Sequence, residues 1–340
     1  MHRAFAIAAV LVLLCLGSLA QANITIDTVP VGDVGNQADT RYETPGYGSV
    51  GYNYNIGKYE VTAGQYTAFL NAVAATDTYG LYDTAMGSNS YGCKIQRTGT
   101  SGSYTYSVAY DWANRPVNYV SYWDSCRFAN WLGNGQGNGD TETGAYTLDG
   151  YNGTDGRTIQ RNAGATWAVT SEDEWYKAAY YKGGGPNAGY WDYPTSSDTA
   201  PGWDMADASG NNANYYSYTD GYLIGSPYYR TEVGEFQDSD GPCGTFDQGG
   251  NVWEWNETMK RIGTPPPGTT AYRGMRGGSY CIGDSVGYLL AEGPGNRAGS
   301  PSYGTISVGF RVSAVPEPSS LLVLGSGLIP LLALRRRRTK

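Results

Sequence analysis

Apolar residues recur along this chain in three short stretches with a helical period, each entered from a brief extended run. Ile56-Gly-Lys-Tyr-Glu-Val61 reads as a strand. Thr62 and Gln65 then stand in capping-box spacing, and Tyr66, Phe69, Leu70 and Val73 fall on one face, so a helix is predicted from Thr62. Arg115-Pro-Val-Asn-Tyr-Val120 repeats the arrangement. Ser121 caps a second helix, with Asp124 in its first turn, Trp123, Cys126 and Ala129 turned inward, and Gly133 as the stop. A third unit opens on the extended Trp167-Ala-Val169. Its helix starts at Thr170 and Ser171, carries Asp173 and Glu174 in its first turn, buries Trp175, Ala178 and Ala179, and ends at Gly183.

Gly-, Asn-, Asp- and Ser-rich segments separate these units, notably 133–156 and 183–210, and no fixed-period repeat is present. The pattern predicts a mixed α/β (α+β), loop-rich single domain. Loops this long in a compact domain are functional or pinned by metal.

The two ends follow different rules. Met1-His-Arg3, an apolar run from Ala4 to Leu16 and an A-x-A ending at Ala22 make residues 1–22 a secretory signal peptide. At the other end a Pro-rich breaker, an apolar stretch from Leu321 to Leu334 and the cluster Arg335–Arg338 follow in order. The stretch is about long enough for a short or tilted span, with the arginines on the cytoplasmic side. That order, with Val315-Pro-Glu-Pro318, resembles the PEP-CTERM sorting tail. The resemblance implies recognition of residues 315–340 by an exosortase-type sorting enzyme. Residues 23–314 are left as one domain, with its core at about 54–312. Both ends predict export to the periplasm, cell surface or extracellular matrix, with at least transient membrane anchoring by the tail.

Composition narrows the chemistry. Of 23 basic residues six lie in the two ends, and of 31 acidic residues one does, so the domain carries about −13. Such a surface disfavours nucleic acid and anionic membrane and suits calcium, although a merely solvated acidic surface has the same composition. Forty-nine glycines and 31 tyrosines point to many turns, with aromatic rings supplying the buried area. The only histidine is His2, inside the signal peptide, so the mature chain has no Ser-His-Asp or Cys-His catalysis and no histidine-ligated metal. Cys93, Cys126, Cys243 and Cys281 remain. None forms a C-x-x-C pair, and in an oxidising compartment they admit three full disulfide connectivities.

The sharpest motif is Gly249-Gly-Asn-Val-Trp-Glu-Trp255. Around it, in order, stand Lys58-Tyr-Glu-Val-Thr62, Arg115-Pro-Val-Asn118 with Val120-Ser-Tyr-Trp-Asp124 and Trp131-Leu132, Val169-Thr-Ser-Glu-Asp-Glu-Trp175, Arg276-Gly-Gly-Ser-Tyr280 and Val308-Gly-Phe-Arg311. This series resembles the formylglycine-generating enzymes (sulfatase-modifying factors), over about Tyr54 to Val312. The resemblance implies a fold related to C-type lectins. From spacing alone, Asp247 and Glu254 flanking Gly250 suit a hard cation or a plain turn with Trp253 and Trp255 in the core. The resemblance favours calcium, held by Asp247, Glu254 and the carbonyls of Gly250 and Val252. It implies a second calcium at Asn214, Tyr215, Asp220 and Tyr222.

The active members bind copper through two cysteines shortly after the R-G-G-S-[WY] motif and oxidise a cysteine of a client sulfatase. Here the matching positions are Ile282 and Gly287, Cys281 lies one place early, and no cysteine follows it. Two thiolates suit Cu(I) and one does not make the pair, so copper is not expected. Two readings follow. One is a catalytically degenerate, calcium-stabilised module that binds a protein or glycan ligand. The other is an oxidase with a rearranged pocket of Trp253, Arg276, Ser279 and Cys281. The resemblance also brings Cys243 near Cys281, where a disulfide is possible.

Overall fold

The computed structural model describes residues 23–260, 271–281, 283, 285–291 and 297–315. The signal peptide, the sorting tail beyond Val315 and the expected copper position Ile282 lie outside them. Among the described residues no helix is long and apolar enough to cross a membrane.

All three predicted helices form, and each starts where its cap is written. Helix α1 spans Ala63–Val73, α2 Tyr122–Gly133 and α3 Glu172–Tyr180. Thr62, Ser121 and Ser171 each close a reciprocal capping box, with Gln65, Asp124 and Glu174 as the returning partners. Two orphan N–H groups at each helix start are thereby satisfied. Helix α2 is the central one: Tyr122 through Leu132 are all buried, the polar Asp124, Ser125, Arg127 and Asn130 included.

Two four-stranded sheets flank these helices. Strands β1 (Thr28–Val31), β2 (Tyr54–Gly57), β3 (Trp167–Val169) and β8 (Val312–Ala314) form the first, antiparallel in the order β1-β2-β8-β3. Strands β4 (Trp253–Lys260), β5 (Tyr272–Arg276), β6 (Arg297–Gly299) and β7 (Val308–Phe310) form the second, in the order β6-β5-β4-β7, with β7 parallel to β4. The chain passes from β7 to β8, and so from one sheet to the other, across the single residue Arg311. The main core lies between α1, α2 and the two sheets and is dominated by rings, among them Tyr66, Phe69, Phe128, Trp131, Trp255 and Phe310. A second apolar cluster under α3 gathers Trp175, Tyr176, Tyr180, Tyr181 and Tyr190.

Two extended segments differ from expectation. The predicted strand 56–61 is cut short at Gly57, because Val61 gives its N–H to Phe310 and Thr62 bridges Pro116 instead of continuing the ladder. Arg115–Val120 forms only that bridge. Short helical turns at Ala85–Ser88 and Tyr110–Ala113, and small hairpins at 96–107 and 216–222, were not foreseen; they are too short for periodicity to register.

The long loop after α2 is held by guanidinium groups. Arg127 pairs with Glu142 (2.6 Å). Arg161 lies between Glu174 (2.8 Å) and Glu257 (2.9 Å), tying the loop to α3 and β4. Loss of a helix cap tests the local part of this design. Ser171→Ala is expected to destabilise the domain by about 1 kcal/mol, lowering the thermal midpoint by roughly 2–4 °C. A melt unchanged by the substitution would remove the cap from the account.

Candidate functional site

The Gly249–Trp255 turn and the Arg276–Tyr280 loop are stitched together by main-chain bonds. Gly250 donates to Gly277 O (2.8 Å), Tyr280 donates to Asn251 O (3.1 Å), and Asn251 donates to Asn214 O (2.7 Å). Gly250 is required here. Its φ is +88°, and a Cβ would lie 2.2 Å from Asn214 O.

This stitching decides where the sequence-predicted pocket residues fall. Trp253 is in the core, edge-on to Tyr288 at 5.6 Å. Arg276 is buried, pairs with Glu172, and has its guanidinium near the rings of Tyr47 (4.8 Å) and Tyr176 (5.1 Å). Ser279 is fully buried, and its Oγ accepts the N–H of half-buried Cys281 (3.1 Å). Of the four, the structure brings Ser279 and Cys281 into contact, while Arg276 belongs to the packing beside α3.

The four cysteines form no disulfide. Cys93 is buried and reaches Asn118 O, and Cys126 is buried beside Tyr122 and Arg273. Cys243 packs against the valines of the β1–β2 edge, where burial pushes its thiol up to about 11. Cys281 stands instead beside Tyr119, Tyr222 and Tyr280. The expected Cys243–Cys281 disulfide is not formed. Cys243 is drawn into the apolar edge of the first sheet, and Cys281 into a group of tyrosines.

That tyrosine group was not picked out by motif. Tyr91, Tyr222 and Tyr229 are half-buried, with ring centroids 4.5 Å apart in a tilted contact (Tyr91–Tyr229) and 4.9 Å apart edge-on (Tyr222–Tyr229), and buried Tyr280 packs against them. Tyr218, 72% exposed, reaches Gly283 O from the neighbouring hairpin. Beyond Tyr119 lies a polar cavity of about 140 Å³ lined by Tyr79, Asp83, Tyr119, Trp123, Asp124 and Asn152, among others. Asp83 and Tyr79 carried no local signal in the sequence; Trp123 and Asp124 were read only as helix residues.

The comparisons bear on this geometry. The family model of the sulfatase-modifying factor enzyme 1-like domain matches residues 21–314. The chain belongs to this family. Among solved structures it is similar to CarF, at 21% identity and a TM-score of 0.54, with 86% of this chain and 99% of CarF covered. Further similar structures are Treponema denticola variable protein 1 (20% identity, TM-score 0.49, coverage 85% and 95%) and PvdO from Pseudomonas aeruginosa (20%, 0.44, 84% and 91%). CarF supports the fold alone. No curated protein matches the chain.

The calcium ligands implied by the family can be checked against this site. Asp247, with φ +59°, accepts the N–H of Gly234 (2.6 Å), and burial pushes its carboxyl up to about 6. Glu254 is fully buried. Its Oε2 accepts from Trp175 Nε1 (2.7 Å) and Arg311 Nε (2.6 Å), and its Oε1 from Arg311 Nη2 (2.7 Å). Glu60 completes the surroundings, accepting from Asn251 Nδ2 (2.9 Å) and Val252 N (3.2 Å). Burial, with the charges of Asp247 and Glu254, pushes Glu60 well above the ordinary carboxylate range. At the second position Asn214 is buried with its Oδ1 lacking a donor, which suits a ligand. Asp220, however, is exposed in a hairpin turn and bonded to Ser217, and Tyr215 O is taken by Trp203 Nε1 (2.8 Å). The Asn214 side chain donates to Tyr229 O and Asn251 Oδ1, and that of Asp220 accepts from Ser217 Oγ. Among the described residues no group of three or more His, Cys, Asp or Glu side chains is placed to hold a metal.

Asp124 provides a pH test at the cavity. Burial, opposed by its bonds to Ser121 and the charge of Arg127 and reinforced by Asp77, raises its carboxyl to about 7. A raised folded-state pKa means that the group's contribution to stability is full below the ordinary carboxylate range, near 4, and is lost as pH rises through 7. Asp124→Asn keeps an oxygen for the Ser121 N–H and cannot ionise. The variant's melting temperature relative to wild type is therefore expected to increase from pH 5 to pH 8. A difference independent of pH would contradict this.

Proposed function

We propose that this member of the sulfatase-modifying factor family is an exported module that binds a partner and has lost the family's oxidase chemistry. The observation that carries the reading is the loss of the copper pair as a motif: Ile282 and Gly287 stand at its two positions, and no cysteine follows Cys281. Cys281 is the only cysteine near the Arg276–Tyr280 loop in sequence; Cys126 and Cys243 occupy other surroundings, while Cys93 shares Tyr119 as a neighbour with Cys281 but is fully buried, with its thiol raised by burial. A Cu(I) centre built on the family's two neighbouring thiolates therefore lacks its second local sulfur. The histidine-free mature chain supplies no imidazole in its place.

Binding is the function that the same face supports. Tyr91, Tyr119, Tyr218, Tyr222 and Tyr229 are carried on loops around Cys281, each partly or largely exposed. Tyrosine offers large amphipathic contact area at low conformational-entropy loss, which suits recognition of a protein or glycan surface. The signal peptide and sorting tail fit delivery of this face to the cell exterior by an exosortase-type pathway. An alternative oxidase would need Cys281 to recruit a thiol from elsewhere.

Copper stoichiometry separates the two. Anaerobic Cu(I) titration against a competing chelator is expected to show no tight site on the full-length protein and no difference between wild type and Cys281→Ser. One tightly held copper per chain, lost in Cys281→Ser, would sink the non-catalytic reading.

A further inference from the structure

The polar groups that line the cavity beyond Tyr119 are mainly oxygens. Asp83 and Asp124 bring carboxylates, Ser121 and Ser302 hydroxyls, and Tyr79 and Tyr119 phenols, and no lysine or arginine is among the lining residues. The two side-chain nitrogens present are engaged. Trp123 Nε1 donates to Gly153 O (2.8 Å), and Asn152 Nδ2 donates to Tyr79 O (3.0 Å).

The negative charge of this lining has no counter-ion. Asp124 is 7% exposed and accepts the Ser121 N–H (2.8 Å). Arg127, whose charge reaches it, is itself paired with Glu142 (2.6 Å), and Asp77, which repels it, is paired with Arg97 (3.0 Å). Among the described residues neither Asp83 nor Asp124 joins an ion pair. A carboxylate enclosed to this degree without an opposite charge is unfavourable, and a visiting cation would relieve it.

Size and chemistry restrict the visitor. At about 140 Å³ the cavity is well below the roughly 300 Å³ at which pockets begin to take drug-sized ligands, so it admits the end of one side chain. A divalent metal collects six to eight oxygens at short range, and among the described residues no group of three or more acidic, His or Cys side chains is placed to hold one. Ammonium and guanidinium groups bring donors and no acceptor, which suits walls of carboxylate and hydroxyl oxygen, and aromatic rings tolerate them. Tyr119 connects the cavity to the tyrosines around Cys281, since it lines the one and stands beside the other. Its φ of +61° is unusual for a bulky residue, and Gly304 packs so closely that a Cβ there would lie 2.3 Å from the Tyr119 carbonyl carbon.

We propose that this cavity takes the cationic end of one lysine or arginine side chain of a protein partner, held against Asp83 and Asp124. The inference rests on the binding-module reading and adds the chemistry of the partner, a segment with an exposed basic residue. The domain's charge of about −13 draws such a partner in the same direction.

The test uses the full-length protein and three end-blocked tripeptides with lysine, arginine or norleucine between two glycines. Binding is followed by ligand-detected NMR at about 0.15 M salt, where attraction to distant exposed charge is largely screened. Saturable binding of a basic peptide and none of the norleucine peptide is expected. Asp83→Asn and Asp124→Asn should each weaken it by about tenfold or more, the loss of a charge-assisted hydrogen bond. Asp83 is exposed, so its variant tests the cavity even where Asp124→Asn is unstable.

A pH series gives a second readout. Around Asp124 stand Arg127 on its own helix, Tyr66 on α1, Asp77 in the loop after α1, and Asp83, Tyr79 and Tyr119 in the cavity. Burial holds the Asp124 carboxyl at about 7, so affinity should rise several-fold from pH 6 to pH 8 as it ionises. The rise should vanish in Asp124→Asn and persist in Asp83→Asn. No binding of either basic peptide, or binding indifferent to both substitutions, overturns the inference, as does calcium bound one per chain through the same two aspartates. The copper titration is independent of these results. A protein that holds no copper and ignores the peptides remains a binding module for another ligand, whereas tight copper sinks that reading whatever the peptides do.

Discussion

Arg311 separates Phe310, the last residue of one sheet, from Val312, in the other, so its side chain enters the protein where the two sheets meet. Burial there is tolerable only with every donor engaged, and the ion pair with Glu254 is what meets that demand. Much else hangs from this pair. Glu254 also fixes Trp175, and so the position of α3 against β4. The carbonyls of Gly57, Lys58 and Phe246 tie the end of β2 and the approach to Asp247 to the same guanidinium. Removing either partner of such a pair typically destabilises a protein by about 3–5 kcal/mol, since the survivor is left charged and buried.

The same solution recurs around the domain. Arg127 with Glu142, and Arg161 with Glu174 and Glu257, anchor a loop too rich in glycine to bury much apolar surface of its own. Isolated, exposed pairs of this kind would contribute little. Here the arginines are largely enclosed and bond to main-chain carbonyls as well, Arg127 to Tyr151 O and Arg161 to Val169 O, so each ties several chain segments at once.

Local features were the most legible part of the sequence. The caps Thr62, Ser121 and Ser171 were readable because both partners of a capping box lie within three residues. The apolar stripe of α1 was readable because its period is short. Six ordered motifs carried the fold class. What stayed hidden depends on partners far apart in the chain. Arg311 and Glu60 were quoted within motifs but given no role, because Glu254 lies 57 residues from the first and Asn251 191 residues from the second. The cavity beyond Tyr119 joins Asp83 and Asn152, from two loops, to Asp124 in the first turn of α2, with no shared pattern. The proximity of Cys243 to Cys281 was inferred from the neighbouring turn and loop, and it failed because Cys243 packs into the apolar edge of the first sheet.

A retired oxidase and a rearranged one make opposite predictions about a single product. The folded full-length protein, loaded with Cu(I) and supplied with oxygen, would be incubated with a cysteine peptide of the sulfatase type, beside an active family member as control. Mass spectrometry of the peptide is the readout. The account predicts that the cysteine survives unchanged, while the control converts it to the aldehyde. Conversion by this protein, abolished in Cys281→Ser, would contradict the account and make Cys281 a working ligand.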